Sequence, residues 1–196
     1  MTSLTVPIAS DAARRPVAPG ELELIRQFVN TRDEETGWEG LDTAAALETW
    51  LVERGLLSAG RRLTERDLAT VTEFREVLRE ELAAHAGHGD GPTAQQHLDD
   101  IAAGYPLRVR LDGGARLEPE GGAGVAPAIA RLLATMYDAM ALGTWERLKV
   151  CRNDACQWAF YDQSRNHSGT WCSMAICGNR MKGRAFRQRH AESASG

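Results

Sequence analysis

The four cysteines of the chain, Cys151, Cys156, Cys172 and Cys177, fall in one stretch with the spacing Cys-x4-Cys-x15-Cys-x4-Cys. Two close thiolate pairs separated by a dozen or more residues suit a zinc ion, which takes four sulfurs in a tetrahedron. The spacers hold four residues rather than the commoner two, so each ligand loop is wider. The alternatives are two disulfides or four unrelated buried thiols. Disulfides belong to secreted chains, and residues 1–20 lack the apolar run of a signal peptide. The expectation is one structural Zn²⁺ held by Cys151, Cys156, Cys172 and Cys177. Four thiolates leave the ion no open position for water. No paired carboxylate or nucleophile–base motif with recognisable spacing occurs elsewhere. The glycines at 121–124 lack phosphate-loop spacing. An enzyme is therefore not expected.

Basic residues gather around the same stretch. From Arg147 to His190 there are nine Lys or Arg against two acids, Asp154 and Asp162, a local balance of +7; the rest of the chain carries 14 basic and 25 acidic residues, a balance of −11. A basic module on an acidic body points to a polyanionic partner; the alternative is that the basic end docks on the acidic body. If the residues after Cys177 are helical, Arg180, Arg184 and Arg187 share one face and Lys182 and Arg189 another. Arginine binds phosphate bidentately and reads guanine in the major groove. Candidate contacts to double-stranded DNA are Arg165, Asn179, Arg180, Lys182, Arg184, Arg187 and Arg189. Asn179 has a rival structural role, holding the zinc loop, and Arg180 a rival role beside a thiolate or Asp162.

Three segments carry a resemblance: Trp158-Ala159-Phe160-Tyr161-Asp162-Gln163-Ser164-Arg165-Asn166, Trp171-Cys172-Ser173-Met174, and Cys177-Gly178-Asn179-Arg180. They resemble the CGNR zinc finger, named for the last four residues. Members of that family are described as bacterial DNA-binding transcription regulators with an N-terminal ligand-binding-like domain called ABATE. Phe28-Val29-Asn30-Thr31 and the Trp50-Leu51…Gly55-Leu56-Leu57 pattern are similar to ABATE as well. The resemblance implies a regulator with a DNA-reading finger, and an interaction module without nucleic acid is the second reading. The match departs at His167-Ser168-Gly169-Thr170, where family members carry arginines; Arg165 is placed to compensate.

These residues need elements to position them. The expected fold is mainly α with a small β-hairpin: a helical N-terminal domain plus a small C-terminal four-cysteine zinc finger of treble-clef type. Residues 1–19 read as a flexible arm, 20–145 as a helical domain that senses an effector or dimerises, and 146–192 as the finger. The last few residues, to Gly196, read as a disordered tail. Leu22, Ile25, Phe28 and Val29 predict a helix over 21–31. Asn30, Thr31 and Trp50 are candidates either for a ligand or for the domain core, Asn30 and Thr31 most simply as caps. Residues 32–40 read as a loop. Asp42 or Thr43 caps a second helix that Gly55 stops. Thr64 caps a third, running to Ala86 on Leu68, Val71, Phe74, Leu78 and Leu82. Its face bearing Glu73, Arg75, Glu76, Arg79, Glu80 and Glu81 reads as solvated, and His85 and His88 as exposed.

Thr93-Ala94-Gln95-Gln96 has capping-box spacing for a short helix to Ala103. Alternation at Tyr105, Leu107, Val109 and Leu111 predicts a strand, returning over 115–118. Ile129, Leu132, Leu133, Met136, Tyr137 and Met140 form the apolar face of a helix over 125–142. In the finger, Trp158 and Phe160 lie on a strand, the polar loop 162–169 forms a hairpin tip, and Trp171 lies on the return. Cys172 and Cys177 start the final helix, with Met181, Ala185 and Phe186 packed back on the finger. No apolar run reaches membrane-spanning length, and a cytoplasmic location with reduced thiols is expected.

Overall fold

The longest helix sets the frame. Thr64 accepts from the Asp67 amide while the Asp67 carboxylate accepts from the Thr64 amide, a reciprocal cap. The helix so opened, α3, spans Glu65–His85. In this computed structural model, residues 16–194 are described. The predicted arm at 1–19 and the end of the tail lie mostly outside them.

Ahead of α3 come α1 (Leu22–Val29), a minimal hairpin of β1 (Arg32–Asp33) and β2 (Trp38–Glu39), and α2 (Ala44–Glu53), which Thr43 caps. The hairpin lies within 32–40, predicted as a loop. After α3 come α4 (Gly91–Ala102), β3 (Leu107–Arg110), β4 (Arg116–Pro119) and α5 (Ala126–Ala141). Asp90, not Thr93, is the N-cap of α4; its carboxylate takes the Thr93 amide and hydroxyl. β3 and β4 pair antiparallel, Leu107 opposite Pro119 and Arg110 opposite Arg116. A short 3₁₀ turn (Trp145–Arg147) then leads into β5 (Leu148–Val150) and β6 (Ala159–Tyr161), paired Leu148 to Tyr161 and Val150 to Ala159. A π turn (Met174–Gly178) opens directly into α6 (Asn179–Ala194). The architecture is mainly α with small two-stranded sheets, as expected.

One apolar core runs through α1, α2, α3 and α5, and Leu148, Val150, Ala159 and Tyr161 of β5 and β6 belong to it. The first half of the predicted finger therefore shares the core of the helical body. The finger hairpin also differs from the expected one. β6 pairs with β5, upstream of the first cysteine pair, and Trp171 lies outside any strand. The reason is apolar content: Leu148-Lys149-Val150 can bury against the body, whereas polar 162–170 offers nothing to a strand partner.

Two further expectations need correction. Arg75 and Arg79, read as solvated, are 2% and 4% exposed. They flank the apolar stripe of α3 at i, i+4, and elements on both sides cover them. Tyr137 and Phe186, read as core-facing, are both more than half exposed.

Candidate zinc centre and nucleic-acid interface

The first ligand loop starts where β5 ends. Cys151 donates its amide to the Trp158 carbonyl at 3.0 Å, continuing the hairpin across the loop. The Asn153 carbonyl takes the amides of Cys156 and Gln157 at 2.7 and 3.1 Å. Gln157 sits at φ +45°, left-handed for a non-glycine residue, a conformation that persists only where its surroundings impose it. Those surroundings include Arg79, which donates to the Gln157 carbonyl at 3.0 Å and to the Val29 carbonyl at 2.8 Å.

The second loop uses the π turn. The Gly178 amide bonds the Ser173 carbonyl five residues back at 3.1 Å, a wide turn that closes the five-residue step from Cys172 to Cys177. Gly178 leaves room for its neighbours: a Cβ there would lie 2.4 Å from the Met174 sulfur and 3.3 Å from Trp171, so Met174 would have to move aside. The Asn179 side chain donates to the Ala175 carbonyl at 3.2 Å, bracing that turn.

The four cysteines are buried and their sulfurs lie within 4.8 Å of one another. Cys172 stands 3.7 Å from both Cys156 and Cys177. Zinc–sulfur bonds of about 2.3 Å in a tetrahedron place neighbouring sulfurs about 3.8 Å apart, so the cluster fits the ion. Disulfides would need sulfurs at about 2 Å, and the thiols are free. Hydrogen bonds from its thiol neighbours drive the Cys151 pKa down and push those of Cys156 and Cys172 up. Four buried thiols cannot all ionise side by side unless a cation offsets them. The Asn153 side-chain amide points at Cys177 Sγ, and backbone amides reach Cys151 and Cys156, which suits thiolates rather than thiols. The four cysteines form a single zinc site.

The departure loop 167–170 wraps a buried ion pair. Lys149 Nζ lies 2.8 Å from Asp162 Oδ2 and 2.6 Å from the His167 carbonyl. The Gly169 amide donates to Asp162 at 2.8 Å, and a Cβ on Gly169 would fall 2.6 Å from that carboxylate. Burial alone would raise the Asp162 pKa; the bonds from Lys149, Ser164 and Gly169 hold it well below the usual carboxylate range. Its partner is Lys149, and Arg180 sits elsewhere.

The predicted DNA contacts separate in space. Lys182, Arg184, Arg187 and Arg189 are exposed along α6, and Arg165 is exposed on the finger loop. Arg180, at the start of α6, donates to Glu35 of the β1–β2 loop at 2.6 Å. From Asn179 to His190 the helix carries five Lys or Arg and no acid. Phe160 and Tyr161 are buried, and Trp158 and Trp171 pack against the zinc cluster, so these rings are not offered for base stacking.

Asn30 and Thr31 are buried and Trp50 packs on Phe28, ring centroids 5.5 Å apart. Thr31 caps α1 through the Phe28 carbonyl at 2.7 Å and accepts from Arg75 at 3.0 Å. Asn30 does more than cap: it accepts from the Ala159 amide at 2.7 Å and donates to the Ala159 carbonyl at 2.9 Å, clamping β6. Sequence reasoning missed this clamp, and with it Arg75, Arg79 and His85. Arg75 forms a two-pronged pair with Glu39, both contacts at 2.7 Å. His85 lies 2.8 Å from the Leu148 carbonyl. The available signal was the i, i+4 pairing of polar residues beside the α3 stripe; their partners are too distant in sequence to infer.

A helical body holding a four-cysteine finger defines the class: a zinc-finger protein. The family model for ABATE, described as "Putative stress-induced transcription regulator", matches residues 22–142. The model for the CGNR zinc finger matches residues 147–190. The chain belongs to the ABATE family and carries a C-terminal CGNR zinc finger. No curated protein matches it. Among the described residues no helix is long and apolar enough to cross a membrane.

Proposed function

We propose that this chain is a DNA-binding transcription regulator of the bacterial cytoplasm. The finger, 146–192, reads duplex DNA through α6, while the helical domain, 20–145, senses a small-molecule effector or dimerises behind an N-terminal arm, 1–19. One observation carries the reading: α6 projects from the zinc site with an exposed, acid-free row of cations. Phosphate contacts from such a row give salt-dependent affinity, and base contacts in the groove give specificity. A zinc ion closed by four thiolates supports a structural metal and a non-enzymatic protein. A dimer would enlarge the small contact area of one finger.

The test is selection of sheared genomic DNA on the zinc-loaded protein at about 0.15 M salt, where non-specific binding is weakened. Recovery of a shared motif, lost in an Arg184→Ala/Arg187→Ala variant, is the expected result. A specific observation favours the second reading, an interaction module without nucleic acid: Arg180 already meets an acidic loop of the body. Retention of a protein partner that duplex DNA fails to displace would support it.

A further inference from the structure

Between its two rows of cations, α6 carries a stripe of a different kind. At about 100° per residue, Asn179, Gly183, Phe186 and His190 fall within about 60° of one another around the helix. Arg180, Arg184 and Arg187 lie to one side of this stripe, and Lys182 and Arg189 to the other. Met181 and Ala185, both half-buried, lie behind it.

Two residues of the stripe serve no packing within the chain. Phe186 is 56% exposed and belongs to neither buried cluster. The ring beside it is that of His190 on the same helix, with centroids 4.2 Å apart. Gly183 stands in the interior of α6, where glycine is the least favourable residue after proline. Close packing does not demand it. Apart from the helix's own backbone, a Cβ there would meet only Arg187 Nη1, at 3.5 Å, the movable end of an exposed side chain. An unburied phenylalanine and an unneeded glycine on one face have a common reason if something outside the chain approaches that face closely.

Charge says what approaches. The stripe is flanked by cations on both sides, and from 179 to 190 the helix has no acid. A helix of about 10–12 Å diameter fits the major groove of duplex DNA, about 12 Å wide. There the centre of the inserted face meets base edges, and the two flanks meet the phosphates of the two strands. An apolar ring at the centre has an apolar partner in that groove, the C5-methyl group of thymine.

We propose that α6 enters the major groove on its Gly183, Phe186 and His190 face. Phe186 rests against a thymine methyl, with the His190 ring packed alongside, and Gly183 lets the helix backbone approach the bases. Arg184 and Arg187 hold the phosphates of one strand, and Lys182 and Arg189 those of the other. The proposal rests on the DNA reading above and names the reading face and the base chemistry it recognises.

The test is selection from random duplexes by the zinc-loaded full chain at about 0.15 M salt, beside Phe186→Ala and Gly183→Leu. Neither position belongs to a buried cluster, and leucine favours helix, so circular dichroism and zinc content should match those of the natural chain. The natural chain is expected to recover a motif with a fixed thymine. Deoxyuridine at that position lacks only the methyl and should weaken binding about fourfold, the worth of one buried methyl group. Phe186→Ala should bind both duplexes alike and keep the slope of affinity against salt, which phosphate contacts set. Lys182→Ala/Arg187→Ala should lower that slope on every sequence. Gly183→Leu should lose duplex affinity by about tenfold or more, as for a bulky side chain set between helix and bases. A motif that Phe186→Ala prefers as strongly as the natural chain does, indifference of the natural chain to every thymine methyl, or full duplex affinity in Gly183→Leu overturns the proposal and leaves the DNA reading standing. Recovery of no motif by the natural chain, or tighter binding to the single strand, where Phe186 would stack on a base, sinks the DNA reading and the proposal together.

Discussion

The two halves of the finger are held by different forces. β5 and β6 are built into the apolar core of the body, and buried side chains from the body hold their backbone: Asn30 on Ala159 and His85 on Leu148. The second half, from Cys172 through α6, joins a small buried cluster in which Cys172 and Cys177 meet Cys151, Cys156 and Phe160 of the first half. The π turn is the element that α6 packs against most. The first half is a piece of the body that presents two thiolates. The second half hangs on those thiolates through the metal. The ligand spacing, which looks symmetric in sequence, is therefore asymmetric in energy: removing zinc should release one half and spare the other.

Zinc removal is the largest test of that contrast, since structural zinc contributes on the order of 10 kcal/mol to folding in small fingers. Cys172→Ser, or chelation, should abolish amide protection in the π turn and α6 while α3 and β5 stay protected, read by hydrogen exchange. Equal loss in both halves would break the comparison.

Next is the polar layer beneath the body side. Glu39→Gln leaves Arg75 buried and half-paired, expected to cost about 3 kcal/mol in denaturant unfolding. This effect depends on pH in a definite direction. Burial would raise the Glu39 pKa, yet the bonds from Arg75 and the Leu41 amide hold it below its ordinary 4.5. A carboxyl depressed in the folded state stabilises fully above its unfolded pKa and loses that stabilisation as pH falls through the folded value. The stability gap between the natural chain and Glu39→Gln should therefore be full near neutral pH and shrink as pH falls below that ordinary value.

Asn30→Ala sharpens the comparison further. It strands a buried amide and carbonyl of Ala159, a loss of about 2 kcal/mol. The faster exchange should appear in β6 first, not in α6. The smallest effect is Glu35→Gln. The Arg180–Glu35 pair is exposed, so stability should change by less than about 1 kcal/mol. Duplex DNA affinity should nevertheless rise, because Arg180 is released; an unchanged or weaker affinity would count against Arg180 as a DNA contact.

The zinc ligands were legible because their chemistry is local: four thiols at short spacings leave few alternatives. The helices were legible where caps and stripes coincide, as at Thr64 with Leu68, Val71, Phe74 and Leu78. The finger hairpin was not, because strand pairing depends on which neighbour can be buried, and alternation at Trp158 and Phe160 does not name the partner. Asn30 was readable as a cap, but its bond partner lies 129 residues away. Arg75 and Arg79 looked solvated because charge usually marks the surface; their bonds to Thr31, Glu39, Glu76, Val29 and Gln157 make burial tolerable.

By itself, then, the sequence determined the metal, its four ligands, the helical class of the body and the basic character of the last helix, since each follows from residue type and short spacing. Tertiary structure decided that the first half of the finger belongs to the core of the body and that Arg180 faces Glu35. Those outcomes depend on contacts between residues far apart in the chain, whose pairing is chosen by what can be buried and satisfied at once.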